Sequence, residues 1–278
     1  MNKNKTWLVT GASQGLGLSL VKQLLQQGFN VAAISRNPDQ LSKIEDGASG
    51  RLLPLRASVT DEAAVGQAIA TAVEKFGSID VVVNNAGYGL GGAIEELSDE
   101  ETRANFDVNV FGTLNVIRKV MPYLRAQRSG HIFNISSIGG YTSTMGAFGI
   151  YAATKFAMFG FSEAMAADVK PFGIKVTIVA PGAFRTNFLS AGSLALPQHP
   201  LDAYQGVRDI HKQYQQWDGA QPGNPEKAAV AIVRMAGEED PALYFFLGDD
   251  AWQRALKKNE SVMADLTRWE TVTRSMDF

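Results

Sequence analysis

Seven short apolar runs, at residues 7–10, 31–35, 52–55, 79–84, 132–135, 175–180 and 244–247, punctuate the chain, and several of them have no polar face. A strand that is apolar on both faces must be covered on both, as in a parallel sheet held between two layers of helices. The intervening segments read as those helices. Leu16, Leu20 and Leu24 recur at helical spacing before Gly28, while Val65, Ala68, Ile69, Ala72, Val73 and Phe76 form a stripe that stops at Gly77. Ser98 and Glu101 have the spacing of a capping box. Right-handed crossovers between such strands predict an α/β doubly wound fold, with ligands bound at the carboxyl ends of the strands.

At 278 residues the chain is expected to form one domain rather than two. Residues 189–225 are its one long, weakly patterned stretch and are expected to form a lid over a substrate pocket. Residues 249–278 read as a helical tail. A net charge of −2 offers no basic field for nucleic acid or for anionic membranes. The absence of cysteine excludes disulfides, thiolate metal sites and a cysteine nucleophile. His131, His199 and His211 lack metal-ligand spacing and are expected to be structural or exposed, so no metal is expected. With no signal-like segment and no apolar run of the ~18 residues that a membrane span requires, a cytoplasmic location is expected.

Directly after the first strand comes Thr10-Gly11-Ala12-Ser13-Gln14-Gly15-Leu16-Gly17, which opens into the first helix. Glycines there permit a tight turn and close backbone approach, and the helix N-terminus presents free N–H groups and a positive dipole end to a pyrophosphate. The spacing is G-x-x-x-G-x-G, not the usual G-x-G-x-x-G. Further along stand Asn84-Asn85-Ala86-Gly87, Asn109, Ser137, Tyr151 with Lys155, and Pro181-Gly182 with Thr186. In this order and over most of the chain, these residues resemble the single-domain short-chain dehydrogenase/reductase family.

The resemblance implies a single doubly wound Rossmann-type domain with a parallel sheet of about seven strands, a nicotinamide cofactor and a Ser-Tyr-Lys site supported by Asn109, usually within a homo-oligomer. It implies cofactor contacts from Thr10, Gly11, Ser13, Gln14, Gly15, Leu16 and Gly17, from Asn85, Ala86 and Gly87 on the adenosine side, and from Pro181, Gly182 and Thr186 beside the nicotinamide. Where the family usually has Asp-Val-Thr-Asp, the chain has Ser58-Val59-Thr60-Asp61, so Ser58 and Val59 take the adenine position. The S-x-x-G pattern selects Ser137, ahead of Gly140, over Ser136. The resemblance also implies that Asn109 anchors a water in a proton relay from Lys155.

About 20 residues past the glycine loop, NAD enzymes of this fold carry an acid for the ribose 2′-hydroxyl. This chain has Ser35-Arg36, a hydroxyl and a guanidinium suited to a 2′-phosphate, so NADP(H) is expected. Tyr151 and Lys155 lie one helical turn apart, and a neighbouring ammonium is expected to bring the phenol toward the working pH range. The resulting expectation is hydride transfer between nicotinamide and a carbonyl or secondary alcohol, with Ser137 polarising the oxygen and Tyr151 moving the proton. Scattered Phe, Leu, Tyr and Trp residues between 184 and 217 suggest an apolar substrate. Two alternatives stay open: a catalytically silent NADP(H)-binding regulator, and an isomerase or dehydratase on the same scaffold.

Overall fold

Strands form where the apolar runs lie, and their alternation decides which side chain meets which helix layer. The computed structural model describes residues 5–44, 50–143, 146–190 and 192–278. Its strands are β1 (Thr6–Thr10), β2 (Asn30–Ser35), β3 (Leu52–Arg56), β4 (Val81–Asn84), β5 (Gly89–Leu90), β6 (Gly130–Ile135), β7 (Ile174–Pro181), β8 (Leu194–Ala195) and β9 (Tyr244–Leu247). Seven form one parallel sheet in the order β3-β2-β1-β4-β6-β7-β9, while β5 and β8 pair separately. The helices are α1 (Gly15–Gln26), α2 (Glu62–Phe76), α3 (Asp99–Phe106), α4 (Gly112–Gln127), α5 (Gly149–Val169), α6 (Gln205–Gln216), α7 (Pro225–Met235) and α8 (Asp249–Arg274).

Odd and even positions of β1 go to opposite layers. Trp7 and Val9 pack with Leu20 and Leu24 of α1 and Ile232 of α7, and Leu8 packs with Val65 and Ile69 of α2 and Val120 of α4. Fully burying each such aliphatic side chain is worth about 1.5–3 kcal/mol, so the sheet is anchored from both sides. Local signals end the helices as read. Asp61 Oδ1 accepts the Ala64 N–H at 2.9 Å to start α2, which ends at Gly77 with φ 83°. The Ser98–Glu101 capping box starts α3. His131 is buried in β6 against Phe133, with its Nε2 2.9 Å from the Thr177 hydroxyl; burial, with Lys175 and Lys5 nearby, pushes the imidazole down to about 3 and keeps it neutral. Strand order reverses between β1 and β4, which opens a crevice over their carboxyl ends.

The described residues of 189–225 hold more regular structure than their weak periodicity suggests. They contain β8, a short 3₁₀ turn at Asp202–Tyr204 and the whole of α6. Only His211 of α6 is buried, so the helix shows too narrow an apolar face to be read from the sequence. Its anchor is polar. Glu96 has a fully buried side chain that accepts hydrogen bonds from the Ala93 and Leu201 N–H groups, both at 2.9 Å, and from Arg208 of α6. Burial alone raises the Glu96 carboxyl, but Arg208 and the two N–H donors outweigh it and hold the group down at about 2.

A carboxyl lowered by folding stabilises above its unfolded value near 4.3 and loses that contribution as pH falls toward the folded value. Limited proteolysis should therefore cut between residues 196 and 217 faster as pH drops below about 4.5. Glu96→Gln should raise cleavage at pH 7 roughly tenfold, the loss of a charge-assisted bond worth about 1.5 kcal/mol, and flatten the acid response. Unchanged cleavage in the variant would place the anchor elsewhere. Among the described residues, no helix is long and apolar enough to cross a membrane.

Candidate active site

A cavity of about 900 Å³ runs along the carboxyl ends of the strands, from Arg36 at one end to Trp217 and Arg254 at the other. The turn between β1 and α1 forms its floor. Gly11 has φ 61°, and a Cβ there would stand 2.9 Å from the Ala86 backbone. At Gly17 a Cβ would stand 2.4 Å from the Gly11 carbonyl and 2.6 Å from Asn85 Nδ2, so α1 can approach this turn only without a side chain. Asn85 Nδ2 donates to the carbonyls of Thr10 (3.0 Å) and Gly11 (3.1 Å), and Thr10 Oγ1 accepts from the N–H groups of Asn85 and Ala86. Thr10 and Gly17 thus stand behind the cavity wall and brace it, whereas Gly11, Ser13, Gln14, Gly15 and Leu16 line it.

The start of α1 is open. Gln14 supplies no side-chain cap and instead donates to Ser193 Oγ at 3.0 Å, and the first turn holds no acid. The helix therefore presents uncapped N–H groups beside the cavity, the arrangement that receives a phosphate. Ser35 and Arg36 follow at the end of β2. The Ser35 hydroxyl lies 2.8 Å from Ser13 Oγ, and the exposed Arg36 has no carboxylate within ion-pair reach among the described residues. Ser58, Val59, Asn85, Ala86 and Gly87 continue the wall, and Pro181, Gly182 and Thr186 close it from the β7 side. Thr186 lies 3.5 Å from where a Gly15 Cβ would be.

Tyr151, Lys155 and Ser137 meet mid-cavity. Tyr151 and Lys155 project from the first turns of α5, and Lys155 Nζ donates to the Ile135 carbonyl at 2.9 Å while lying 5.8 Å from the centre of the Tyr151 ring. Ser137 Oγ accepts the Gly139 N–H at 3.0 Å and hydrogen-bonds to the Tyr151 phenol. Ser136 differs: buried, it spends its hydroxyl on the Lys155 carbonyl at 2.9 Å. A Cβ at Gly140 would stand 2.6 Å from that same carbonyl, which is the packing reason for a glycine three residues after Ser137.

Burial pushes the Tyr151 phenol up, with the Ser137 hydrogen bond opposing it, and pushes the Lys155 ammonium down to about 8. The sequence argument expected Lys155 to lower the phenol. In this structure the ammonium is turned to the Ile135 carbonyl and desolvation dominates, so the phenol is firmly protonated at neutral pH.

Asn109 sits in a π-helical turn, Asp107–Phe111, between α3 and α4. Its side chain is fully engaged: Oδ1 accepts the Tyr88 N–H, and Nδ2 donates to the Tyr88 carbonyl and to Thr154 Oγ1, each at 3.0 Å. Asn109 lies behind the wall and pins residue 88 to α5, leaving its Oδ1 and Lys155 Nζ within 2.9 and 3.5 Å of a Gly87 Cβ position.

Other contributors were not read from the sequence. Asp250, in the first turn of α8, accepts the Ala183 N–H at 2.8 Å, and a Cβ on Gly182 would fall 2.0 Å from its carboxylate. It therefore fastens the segment after β7 to the tail. Arg254, one turn on, donates to the Thr142 carbonyl at 3.1 Å, and Asn115 Nδ2 holds the Val59 carbonyl at 2.9 Å. Each joins segments more than 50 residues apart, beyond the reach of spacing arguments.

Residues 5–194, more than half of the chain, match a family described as short chain dehydrogenase. The chain belongs to that family. The oxidoreductase BOA17 of Botryotinia fuckeliana is 36% identical over 272 residues, covering 97% of this chain and 98% of the relative. A 3-ketodihydrosphingosine reductase of Bacteroides thetaiotaomicron is 43% identical over 239 residues, 84% of each chain. The crystal structure of a short-chain dehydrogenase from Streptomyces avermitilis superimposes with a TM-score of 0.91 at 38% identity, covering 99% of both chains. The protein is thus an oxidoreductase of the short-chain dehydrogenase family, with the family's Rossmann-like sheet.

Proposed function

We propose that the protein is an NADP(H)-dependent oxidoreductase acting on a carbonyl or secondary alcohol with an apolar body. The observation that carries this reading is one continuous cavity with the protonated phenol of Tyr151 at its centre and, at one end, Arg36 beside the uncapped start of α1. Among the described lining residues Asp250 is the single carboxylate, and it belongs to the far end, so no acid opposes a 2′-phosphate at Ser35 and Arg36. The glycine floor, which a Cβ would fill at Gly11 and Gly17, suits a dinucleotide.

In this reading, residues 11–16 hold the pyrophosphate, Ser35 and Arg36 the 2′-phosphate, and Lys155 and the 181–186 segment the nicotinamide half. The cofactor supplies or accepts a hydride at the substrate carbon. Ser137 donates to the substrate oxygen and positions it beside Tyr151. Tyr151 releases its phenolic proton to that oxygen during reduction and regains one during oxidation. Lys155 stabilises the phenolate left behind, and Asn109 acts as a positioning residue through Tyr88 and Thr154. Phe184, Phe188, Trp217 and Tyr214 line the substrate end and favour an apolar body. The relative named for reducing 3-ketodihydrosphingosine supports a ketone.

The test is turnover of a panel of alkyl and aryl ketones, aldehydes and secondary alcohols with each cofactor, followed by nicotinamide absorbance. NADPH should exceed NADH at least tenfold in kcat/KM, with apolar ketones ahead of small polar ones. Tight NADPH binding without turnover anywhere in the panel would instead favour the silent regulator.

Residues 189–225 serve in this reading as the lid, latched through Glu96 and Arg208 and packed by Tyr214 of α6 against Phe148 with ring centroids 5.2 Å apart. Amide hydrogen exchange there should slow in steps, first with NADPH and again with a substrate analogue. Full protection already in the free protein would show a fixed wall.

A further inference from the structure

We propose that His211 is a positioning residue for Tyr151, holding the backbone turn from which α5 starts. The inference rests on the reading of Tyr151 as proton donor and adds how the fold keeps that phenol in place. Ala147, two residues before α5, has φ 73°, in the left-handed region that a residue with a Cβ disfavours. Among the described residues the other non-glycine with a positive φ is Arg128, which caps the end of α4. Ala147 ends no helix. A backbone held in such a conformation persists where its surroundings over-determine it, and here donors from two distant parts of the chain converge on the Ala147 carbonyl. The Gly92 N–H reaches it at 2.8 Å and His211 Nε2 at 3.2 Å. Because a carbonyl can only accept, that ring nitrogen carries a proton.

The imidazole is built into this junction. It belongs to the one buried residue of α6, and a Cβ on Gly91 would stand 2.6 Å from its Nε2, so the chain at residue 91 comes this close only as glycine. Phe148 follows Ala147, and its ring meets the imidazole edge-on with centroids 5.3 Å apart. The Phe148 carbonyl accepts the Ala152 N–H at 2.8 Å, which closes the first turn of α5 around Tyr151. The contacts thus run from α6 through one carbonyl to the residue that starts the catalytic helix. Phe148 supplies no side-chain cap that would fix this start by itself. Without the imidazole donor Ala147 relaxes toward negative φ, and the first turn of α5 shifts with it, carrying Tyr151 away from Ser137.

On a ketone that the parent reduces, His211→Leu should lower kcat about 10- to 100-fold while cofactor affinity stays within about twofold, since the phenol and not the cofactor is misplaced. His211→Gln, whose amide can donate to the same carbonyl, should stay within about threefold of the parent. Adding Ala147→Gly to His211→Leu should recover at least about fivefold in kcat, because glycine takes the left-handed conformation without being held there. Amide hydrogen exchange without substrate gives a readout independent of turnover: in His211→Leu the Gly92 and Ala152 amides should exchange at least about tenfold faster, with those of β4 unchanged. Equal kcat in the Leu and Gln variants, no recovery by the glycine, or unchanged exchange at Gly92 and Ala152 would each overturn the proposal. The underlying reading fails separately. Faster exchange in His211→Leu alongside a Tyr151→Phe enzyme of near wild-type rate would remove Tyr151 as donor, whereas unchanged exchange alongside an inactive Tyr151→Phe enzyme would remove the positioning role of His211 alone.

Discussion

Replacing Tyr151 with phenylalanine should lower kcat for carbonyl reduction by about 1,000-fold, the middle of the range for a positioned general acid, while NADPH affinity stays within about twofold. The phenol is the group that burial keeps protonated at neutral pH, it hydrogen-bonds to Ser137, and the ring alone suffices to fill the wall. Lys155→Met should damage both constants, because the proposed reading has its ammonium hold the nicotinamide half as well as stabilise the Tyr151 phenolate, from whose ring centre it lies 5.8 Å.

The pH profile supplies a further sign. Burial lowers Lys155 to about 8, so its charge is present below that pH and lost above it. Reduction measured as kcat/KM should therefore be level from pH 6 to about 7.5 and fall as pH rises through 8, the apparent value belonging to the Tyr151–Lys155 pair. A Tyr151→Phe enzyme that turns over near the wild-type rate would remove Tyr151 as proton donor. A profile rising through pH 8 would contradict the role given to the ammonium.

Arg36→Ala should weaken NADPH binding by roughly 10- to 150-fold and leave NADH nearly unchanged, since a charge-assisted hydrogen bond contributes about 1.5–3 kcal/mol. Arg36 is exposed, which places the effect toward the lower end and makes it shrink as salt is raised. Adding Ser35→Asp should reverse the preference, because a carboxylate there accepts from a ribose 2′-hydroxyl and repels a 2′-phosphate. Calorimetric titration of both cofactors into the three proteins measures this directly. Equal weakening of NADPH and NADH by Arg36→Ala, or a wild-type preference for NADH, would overturn the assignment.

The elements themselves were written locally. Short apolar runs, several of them apolar on both faces, marked all seven strands of the main sheet, Gly77 and the Ser98–Glu101 box marked helix ends, and the glycine turn marked the first βα unit, because each depends on residues within a turn or a strand of one another. The pattern Ser137-x-x-Gly140 singled out Ser137 by resemblance, and the structure supplies the reason: Ser136 is spent on the Lys155 carbonyl and Gly140 must admit that same carbonyl.

What tertiary structure alone decided lies in pairs distant along the chain. Glu96 reads as one more surface acid until Arg208 and the Leu201 N–H arrive over it, and Asp250 reads as a helix-start carboxylate until it meets Ala183. Asn109 was legible as a buried amide in need of partners, yet which partners it found depended on Tyr88 and Thr154. The direction of the Tyr151 shift turned on the same kind of fact. Proximity in sequence placed an ammonium one turn away, but the fold buried the phenol and gave that ammonium to Ile135. Spacing can put charges on one face of a helix; the dielectric around them and the donors that reach them depend on the packed whole.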